Sequence, residues 1–359
     1  VEDLVMMKDL DFYRGKKVFV TGHTGFKGTW LSVWLHALGA QVRGYSLPPT
    51  RYQKVFDEIW PSLSFQSTLG DVRNRHLLQQ HLLDFQPDVV FHLAAQPLVR
   101  YSYQQPLETF EVNVMGTANV LEPLRQLSKP CAVVIITTDK VYENYEWDYP
   151  YREVDRLGGH DPYSTSKAAA ELVVSSFRKS FFQKNDSENP IRIATARAGN
   201  VIGGGDFSPD RLVPDIVAAL TKGHPLEIRN PLSVRPWQHV LEPLVGYLQL
   251  GAQLHHSGFD QAWNFGPHAE DTLTVQELVD LALHHWQGGT YHVAAAEGQP
   301  HEAKLLKLDS SLAMHRLGWK PKWNASQALE TTMRWYVQHH SGGSALELMR
   351  NDIQSYQKA

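Results

Sequence analysis

Five short, continuous apolar runs constrain this chain more than any other feature. They are Lys17-Val18-Phe19-Val20, Ala40-Gln41-Val42-Arg43-Gly44-Tyr45, Asp88-Val89-Val90-Phe91-His92-Leu93, Ala132-Val133-Val134-Ile135-Ile136 and Ile191-Arg192-Ile193-Ala194-Thr195-Ala196. Each is rich in β-branched residues and too short for a buried helix, so each reads as a strand. Between the first two, residues 24–38 carry Trp30, Leu31, Trp34, Leu35 and Leu38 at helical spacing and meet a stop at Gly39. Pro87 and Pro130 stand just before the third and fourth runs, where they end the preceding helices. Strands apolar on both sides need cover on both faces, and alternation with helices gives parallel connections. The chain therefore predicts an α/β fold built on a doubly wound parallel sheet. With 359 residues, 42% of them apolar, it can bury such a core without covalent staples.

After Gly199 the texture changes. Gly203-Gly204-Gly205 and Pro209, Pro214, Pro225, Pro231 and Pro236 interrupt the pattern, and helices are expected to become short. Residues 1–199 are expected to form a dinucleotide-binding domain of Rossmann type, with a later segment, about 236–266, returning to it. Residues 200–359 are expected to form mainly a smaller substrate domain. Ligands of doubly wound sheets sit outside the carboxyl ends of the strands, so the residues that follow the strands carry the functional information.

Gly22, Gly25 and Gly28, in Thr21-Gly22-His23-Thr24-Gly25-Phe26-Lys27-Gly28, follow the first strand and open the first helix. That spacing supplies a tight turn, a backbone that a pyrophosphate can approach, and close packing of helix on strand. Gly22, Thr24, Gly25, Phe26, Lys27 and Gly28 are the expected cofactor loop. The acidic residue expected about 20 positions on, to bind the ribose hydroxyls, is absent. Arg43 and Arg51 lie there instead and would suit a 2′-phosphate, so NADP stays open beside NAD. Asp71 and Val72, after a probable third strand, and Leu93, Ala94 and Ala95, after the fourth, complete the expected cradle, with Asp71 toward the adenine amine.

Tyr163-Ser164-Thr165-Ser166-Lys167 puts a phenol and an ammonium one helical turn apart. A tyrosine with a free pKa near 10 needs a neighbouring cation to act as a base near neutrality, and Lys167 is placed to supply it. The loop Thr137-Thr138-Asp139-Lys140-Val141-Tyr142 follows the fourth of the runs above that come before it, and Thr138 can donate to the same substrate oxygen that gives its proton to Tyr163.

Taken together with Arg197-Ala198-Gly199-Asn200-Val201-Ile202-Gly203-Gly204-Gly205-Asp206, these pieces resemble the extended short-chain dehydrogenase/reductases that act on nucleotide sugars. Thr138-Asp139-Lys140 resembles the variant acid–base motif of the CDP-glucose 4,6-dehydratases within that family. The resemblance implies NAD as cofactor, CDP-glucose or a related nucleotide sugar as substrate, and a step toward the deoxysugars of bacterial surface polysaccharide. It implies oxidation at carbon 4, elimination of water across carbons 5 and 6, and hydride return to carbon 6. Only a ketone at carbon 4 makes the carbon 5 proton acidic. Asp139 fits the acid if burial raises its pKa, and Lys140 fits the base only if nearby cations lower its pKa. A structural or sugar-binding Lys140 stays open. The resemblance further assigns Asn200 and Arg235, and with less force Arg211, to the substrate pyrophosphate, where an arginine fork matches phosphate oxygens. It implies a homodimer through a four-helix bundle supplied by residues 109–127 and 162–182, with Ala168, Ala169, Leu172, Val173 and Phe177 as the apolar stripe. A nucleotide-sugar 4-epimerase and a non-enzymatic dinucleotide-sensing module remain the alternatives.

Composition excludes several other classes. Thirty-four basic against 38 acidic residues make the chain net −4, unlike a general nucleic-acid binder. Cys131 is the only cysteine, so an intrachain disulfide and a cysteine-based zinc site are excluded and a reducing, cytoplasmic setting is expected. The start, Val1-Glu2-Asp3-Leu4-Val5-Met6-Met7, lacks the order of a signal peptide, and no run of about 20 apolar residues is present to cross a membrane. The 18 histidines, including the pairs 255–256, 284–285 and 339–340, lack metal-ligand spacing and read as surface residues, and the ten tryptophans read as core. No metal is expected.

Overall fold

The computed structural model describes residues 10–182, 191–228, 230–268, 270–293 and 305–359. The amino-terminal residues read above for a signal sequence lie outside them. Seven strands form one parallel sheet in the order β11-β6-β5-β4-β1-β2-β3. They are β1 (Lys17–Thr21), β2 (Gln41–Ser46), β3 (Gln66–Leu69), β4 (Val89–His92), β5 (Cys131–Ile136), β6 (Ile191–Ala198) and β11 (Ala262–Phe265). The five predicted strands are all present, each within a residue or two of its predicted bounds at the start.

Strand alternation explains why the runs had to be apolar throughout. Val18, Val20, Ala132, Val134 and Ile136 point to one face, where Trp30, Trp34, Leu244, Leu248 and Trp263 cover them. Phe19, Cys131, Val133 and Ile135 point to the other, against Leu78, Val120, Leu124 and Val174. Both faces are dry, so a polar residue on either would lose its water without compensation.

Strand order reverses between β1 and β4, and the crevice opens there, at their carboxyl ends. The carboxyl-terminal half adds three two-stranded pieces. β7 (Asn200–Ile202) pairs with β10 (Trp237–His239), β9 (Val234–Arg235) with β12 (Leu273–Thr274), and β8 (Leu226–Ile228) with β13 (Tyr291–Val293). Helices there are not uniformly short as expected. Leu241–Gln253, Ala325–His340 and Ala345–Lys358 run 13, 16 and 14 residues. Pro214 and Pro243 sit in the first turn of their helices, where the missing N–H costs nothing, and a capping box of Asn324 with Gln327 starts Ala325–His340.

The tryptophan reading holds for most. Trp30, Trp34, Trp263, Trp319 and Trp335 are fully buried, while Trp147 is exposed. The histidine reading needs correction: His23, His92 and His239 are buried. Each occupies a slot shaped by long-range packing, His239 for instance edge-on to Trp30 and Trp323. Among the described residues no group of three or more metal-ligating side chains converges.

Candidate active site

The glycine loop closes the crevice floor. Gly22 has φ +74°, and its N–H donates to Tyr45 O at 2.9 Å, carrying the chain off β1 in a turn that L side chains rarely adopt. A Cβ at Gly28 would lie 2.1 Å from Gly22 O, and one at Gly22 would lie 2.6 Å from Ala94 N. Gly25 differs: its Cβ would meet only Gly22 O, at 3.3 Å. Two glycines are thus demanded by packing, and the third leaves its outer side open. This is the shape an anion-binding turn requires, and it fits a dinucleotide.

β2 ends beside a pair of hydroxyls. Thr24 Oγ1 lies 2.8 Å from Ser46 Oγ and donates to Leu47 O at 3.1 Å. The reading of Arg43 as a 2′-phosphate ligand is overturned. Arg43 stands mid-strand, paired with Phe19 on β1, and donates to Asp84 at 2.7 Å with its guanidinium over Phe85. Arg51 is exposed and stacks on Tyr52. Asp71 is already engaged: the Arg73 side chain donates to it at 2.6 and 2.9 Å and its backbone N–H at 2.8 Å. Partial burial works to raise the Asp71 pKa, but those bonds hold it below the usual carboxylate range. Val72 is buried, and Leu93, Ala94 and Ala95 sit half-exposed after β4.

The helix Pro162–Phe177 brings Tyr163 and Lys167 to the same crevice. Its first turn is held by Asp161, which accepts from Ser164 N at 3.0 Å and Ser164 Oγ at 2.6 Å. Ser102 Oγ accepts from Tyr163 N at 3.2 Å. Lys167 Nζ donates to Ile136 O at 3.2 Å, at the end of β5. Burial lowers its pKa to about 8, against the opposing charge of Glu171. The expected lowering of the phenol by Lys167 is not what this structure shows. Burial pushes Tyr163 up to about 12, partly offset by a hydrogen bond from Thr138 and by the charge of Arg211. One of the three Lys167 ammonium donors goes to that carbonyl, and the groups that act on the phenol are Thr138, Asp139, Arg211 and Asp161.

The single Thr138 hydroxyl proton is shared: Oγ1 donates to Asp139 Oδ1 at 2.9 Å or turns to the phenol. Asp139 is buried, and burial raises its pKa above the usual carboxylate value, opposed chiefly by the Lys140 charge. Gly199 makes room for it: a Cβ there would lie 3.0 Å from Asp139 Oδ2. Lys140 is half-buried on the short turn Asp139–Val141, its backbone N–H 3.4 Å from Thr138 Oγ1. Lys27 joins this group from the glycine loop. Burial lowers its pKa to about 8, with Arg211 and Lys167 adding to the effect and Asp139 and Asp206 opposing it.

On the substrate side, Arg211 donates to the buried Asp206 at 2.9 Å. Asn200 opens β7 in register with Trp237 on β10, and Arg235 lies two residues before Trp237 on β9. Asn200, Arg211 and Arg235 thus come from three segments, and Asn200 directly follows the glycine that abuts Asp139. A small cavity beside Asp139 and Gly199 is lined by Pro236, His268 and Lys307, and the last two were not expected.

Three other residues were missed. Asn113, on the π-helical segment Glu111–Met115, donates to Gln96 O at 3.1 Å and to Ser166 Oγ at 2.8 Å. Glu171 and Arg197 form a buried pair behind the site, at 2.9 Å. The signal available for Glu171 was its spacing, one turn beyond Lys167.

A family model described as GDP-mannose 4,6 dehydratase matches residues 19–332. The chain belongs to that family. The chain is 46% identical to a CDP-glucose 4,6-dehydratase of Salmonella typhimurium, over 98% of this chain and 99% of the relative. Solved structures share the dehydratase fold more widely. A dTDP-glucose 4,6-dehydratase from Streptomyces venezuelae has a TM-score of 0.77 at 22% identity, covering 92% of this chain and 99% of its own. An epimerase from Methanothermobacter thermautotrophicus has 0.78 at 22%, covering 97% and 98%. Dehydratases and epimerases match about equally well, so backbone shape does not separate the two chemistries.

Proposed function

We propose that the chain is a sugar-nucleotide 4,6-dehydratase that converts CDP-glucose to CDP-4-keto-6-deoxyglucose and water, with NAD as its resident cofactor. The observation that carries this reading is the buried Asp139, hydrogen-bonded to Thr138 and given room by Gly199. Epimerisation at carbon 4 needs one acid–base group. Elimination needs a second acid that stays protonated near neutral pH, and burial favours that form of Asp139. The relative at 46% identity supports CDP-glucose as the substrate.

Gly22, Thr24, Gly25, Phe26, Lys27 and Gly28, with Asp71, Val72, Leu93, Ala94 and Ala95, would hold the dinucleotide. The related dehydratase from Streptomyces venezuelae was solved with NAD bound, and the engagement of Arg43 with Asp84 favours NAD over NADP. When bound, NAD would accept the hydride from carbon 4, carry a positive charge at its oxidised ring until then, and return the hydride to carbon 6 after water has left. With that charge and Lys167 favouring the phenolate, Tyr163 would take the proton of the carbon 4 hydroxyl. Thr138 has one proton and two acceptors, Asp139 and the Tyr163 side. A protonated Asp139 can donate back to Thr138 Oγ1, which frees the threonine proton for the carbon 4 oxygen. Asp139 later gives its proton to the departing carbon 6 hydroxyl, and Lys140 takes the proton at carbon 5. Asn200, Arg211 and Arg235 hold the pyrophosphate.

The same reading includes a homodimer and a cytoplasmic setting. The chain is helical over Pro106–Phe110, Glu111–Met115 and Gly116–Leu124, and again over Pro162–Phe177 and Arg178–Phe182. Leu107, Met115, Leu172 and Phe181 are exposed there. The expected stripe needs correction: Ala168 is buried with Tyr142, Tyr151 and Leu308 of its own chain, and Val173 and Phe177 pack in part against its core beside Ile191 and Ile193. Incubation with CDP-glucose tests the activity, because a 4-keto-6-deoxy product absorbs in alkali and an epimer does not. An epimer, or preference for UDP-, dTDP- or GDP-glucose in the same assay, would overturn the assignment.

A further inference from the structure

Behind the crevice lies a polar cluster that none of the steps above uses. Glu171 and Arg197 are each almost fully buried and meet in a two-pronged pair, Nε to Oε1 at 2.9 Å and Nη2 to Oε2 at 3.0 Å. Thr137 Oγ1 donates to Oε1 at 2.6 Å and Thr195 Oγ1 to Oε2 at 2.7 Å. The carboxylate thus ties together three segments: the Tyr163 helix, the end of β5 one residue before Thr138, and β6. Arg197 extends the cluster, donating to Tyr142 OH at 2.7 Å, and Tyr142 OH donates to Asn264 Oδ1 at 2.7 Å.

Resting on the dehydratase reading, we propose that Glu171 is a positioning residue for carbon 4 oxidation: it fixes the Thr138 loop against the Tyr163–Lys167 helix and supplies the buried negative charge that keeps Lys167 cationic. A buried ion pair is weak evidence for stability alone, since apolar residues of similar volume often serve as well. What apolar residues cannot supply is charge. Glu171 stands four residues after Lys167, on the same helix face. The other groups that face Lys167 do not offer a carboxylate: Tyr163 on its own helix, Lys27 from the glycine loop, His92 from β4 and the Ile136 carbonyl of β5. Lys27 is repulsive, and burial already favours the neutral amine. Glu171 is the group that opposes this.

Glu171→Gln removes the charge and keeps the shape. A unit charge one helical turn away, about 6 Å, at an effective dielectric of about 20, moves a pKa by about two units. The alkaline limb of kcat/KM is therefore expected to move down by about that much. Because the single change strands the Arg197 charge, Glu171→Gln/Arg197→Met removes both members, and Glu171→Asp keeps the charge. The Lys167 Nζ signal, titrated by 15N NMR on each protein without substrate, is expected to move down in the first two and to stay within half a unit in the third. That readout stands even if CDP-glucose is not turned over, so failure of the substrate assignment and failure of this proposal are distinguishable. An unmoved Lys167 titration in the folded double variant, or a pH profile restored by it, would show that Glu171 is a structural strut and overturn the proposal. If neither uncharged variant folds, a Lys167 titration shifted down in Glu171→Asp by as much as one unit would overturn it as well.

Discussion

Two alanine substitutions in the glycine loop should separate packing from ligand binding. At Gly28 the added methyl would lie 2.1 Å from Gly22 O and 2.8 Å from His23 Cα, both backbone atoms that no rotamer change can move. Ordinary contact needs about 3.5 Å, so the first helix must shift from β1 by about an ångström. Overpacking of that kind costs about 1–3 kcal/mol, or roughly 1–4 °C in Tm for a chain of this size. The shift also spreads the turn that should hold the pyrophosphate. At Gly25 the methyl meets only Gly22 O at 3.3 Å, an adjustment of a few tenths of an ångström. Thermal unfolding and calorimetric titration with NAD, run on both variants, provide the assay. Gly28→Ala is expected to lose stability and NAD affinity together. Gly25→Ala is expected to keep its Tm within about 1 °C and still lose at least tenfold in affinity, because its methyl points to the open side of the turn. If Gly25→Ala binds NAD normally, that open side is not where the dinucleotide sits. If Gly28→Ala is unshifted in Tm, the close helix–strand approach is not as tight as the geometry states.

Tyr163→Phe removes the proton acceptor and should lower turnover by roughly 10²–10⁴-fold, with substrate binding retained; near-normal turnover would remove Tyr163 from its role. Lys140→Ala should still oxidise carbon 4, so reduced nicotinamide should accumulate in a single turnover while carbon 5 stops exchanging with deuterated water; normal exchange would make Lys140 a sugar-positioning group and leave a bound water as the next candidate base, since the Tyr142 hydroxyl is buried between Arg197 and Asn264. Glu242, fully buried, accepts from Tyr356 OH at 2.6 Å and Trp323 N at 2.8 Å, and burial raises its pKa to about 7. With an unfolded value near 4.5, its protonated form favours the fold, so that contribution is full below about pH 4.5 and is lost as pH rises to 7, on the order of 3 kcal/mol in all. Glu242→Gln should flatten denaturant stability between pH 4.5 and 7, and an unchanged slope there would count against it. Leu172→Arg on the exposed helix face should shift the mass seen by light scattering from dimer to monomer, whereas an unchanged mass would place any dimer contact elsewhere.

The candidate site was readable in sequence where its requirements are local. Gly22, Gly25 and Gly28 needed only the strand before them and the helix after, and Tyr163 and Lys167 needed only four residues of helical spacing. Thr138 and Asp139 were singled out because they follow an apolar run. Arg43 was misread for the converse reason. Proximity along the chain put it near the expected ribose, while its place mid-strand turned it to Asp84, 41 residues away.

What the sequence by itself determined is the alternation of buried strands and helices, the turn that leaves β1, and the residue types gathered at the carboxyl ends of the strands. These follow from backbone conformation and periodicity, which a few neighbouring residues set. Only the tertiary structure decided the electrostatics. It set Lys27 and Lys167 at about 8, raised Tyr163 to about 12 and Asp139 above the carboxylate range, and joined Glu171 to Arg197 across 26 positions. Burial and charge at a point are sums over everything packed around it, and most of what surrounds these side chains comes from distant parts of the chain.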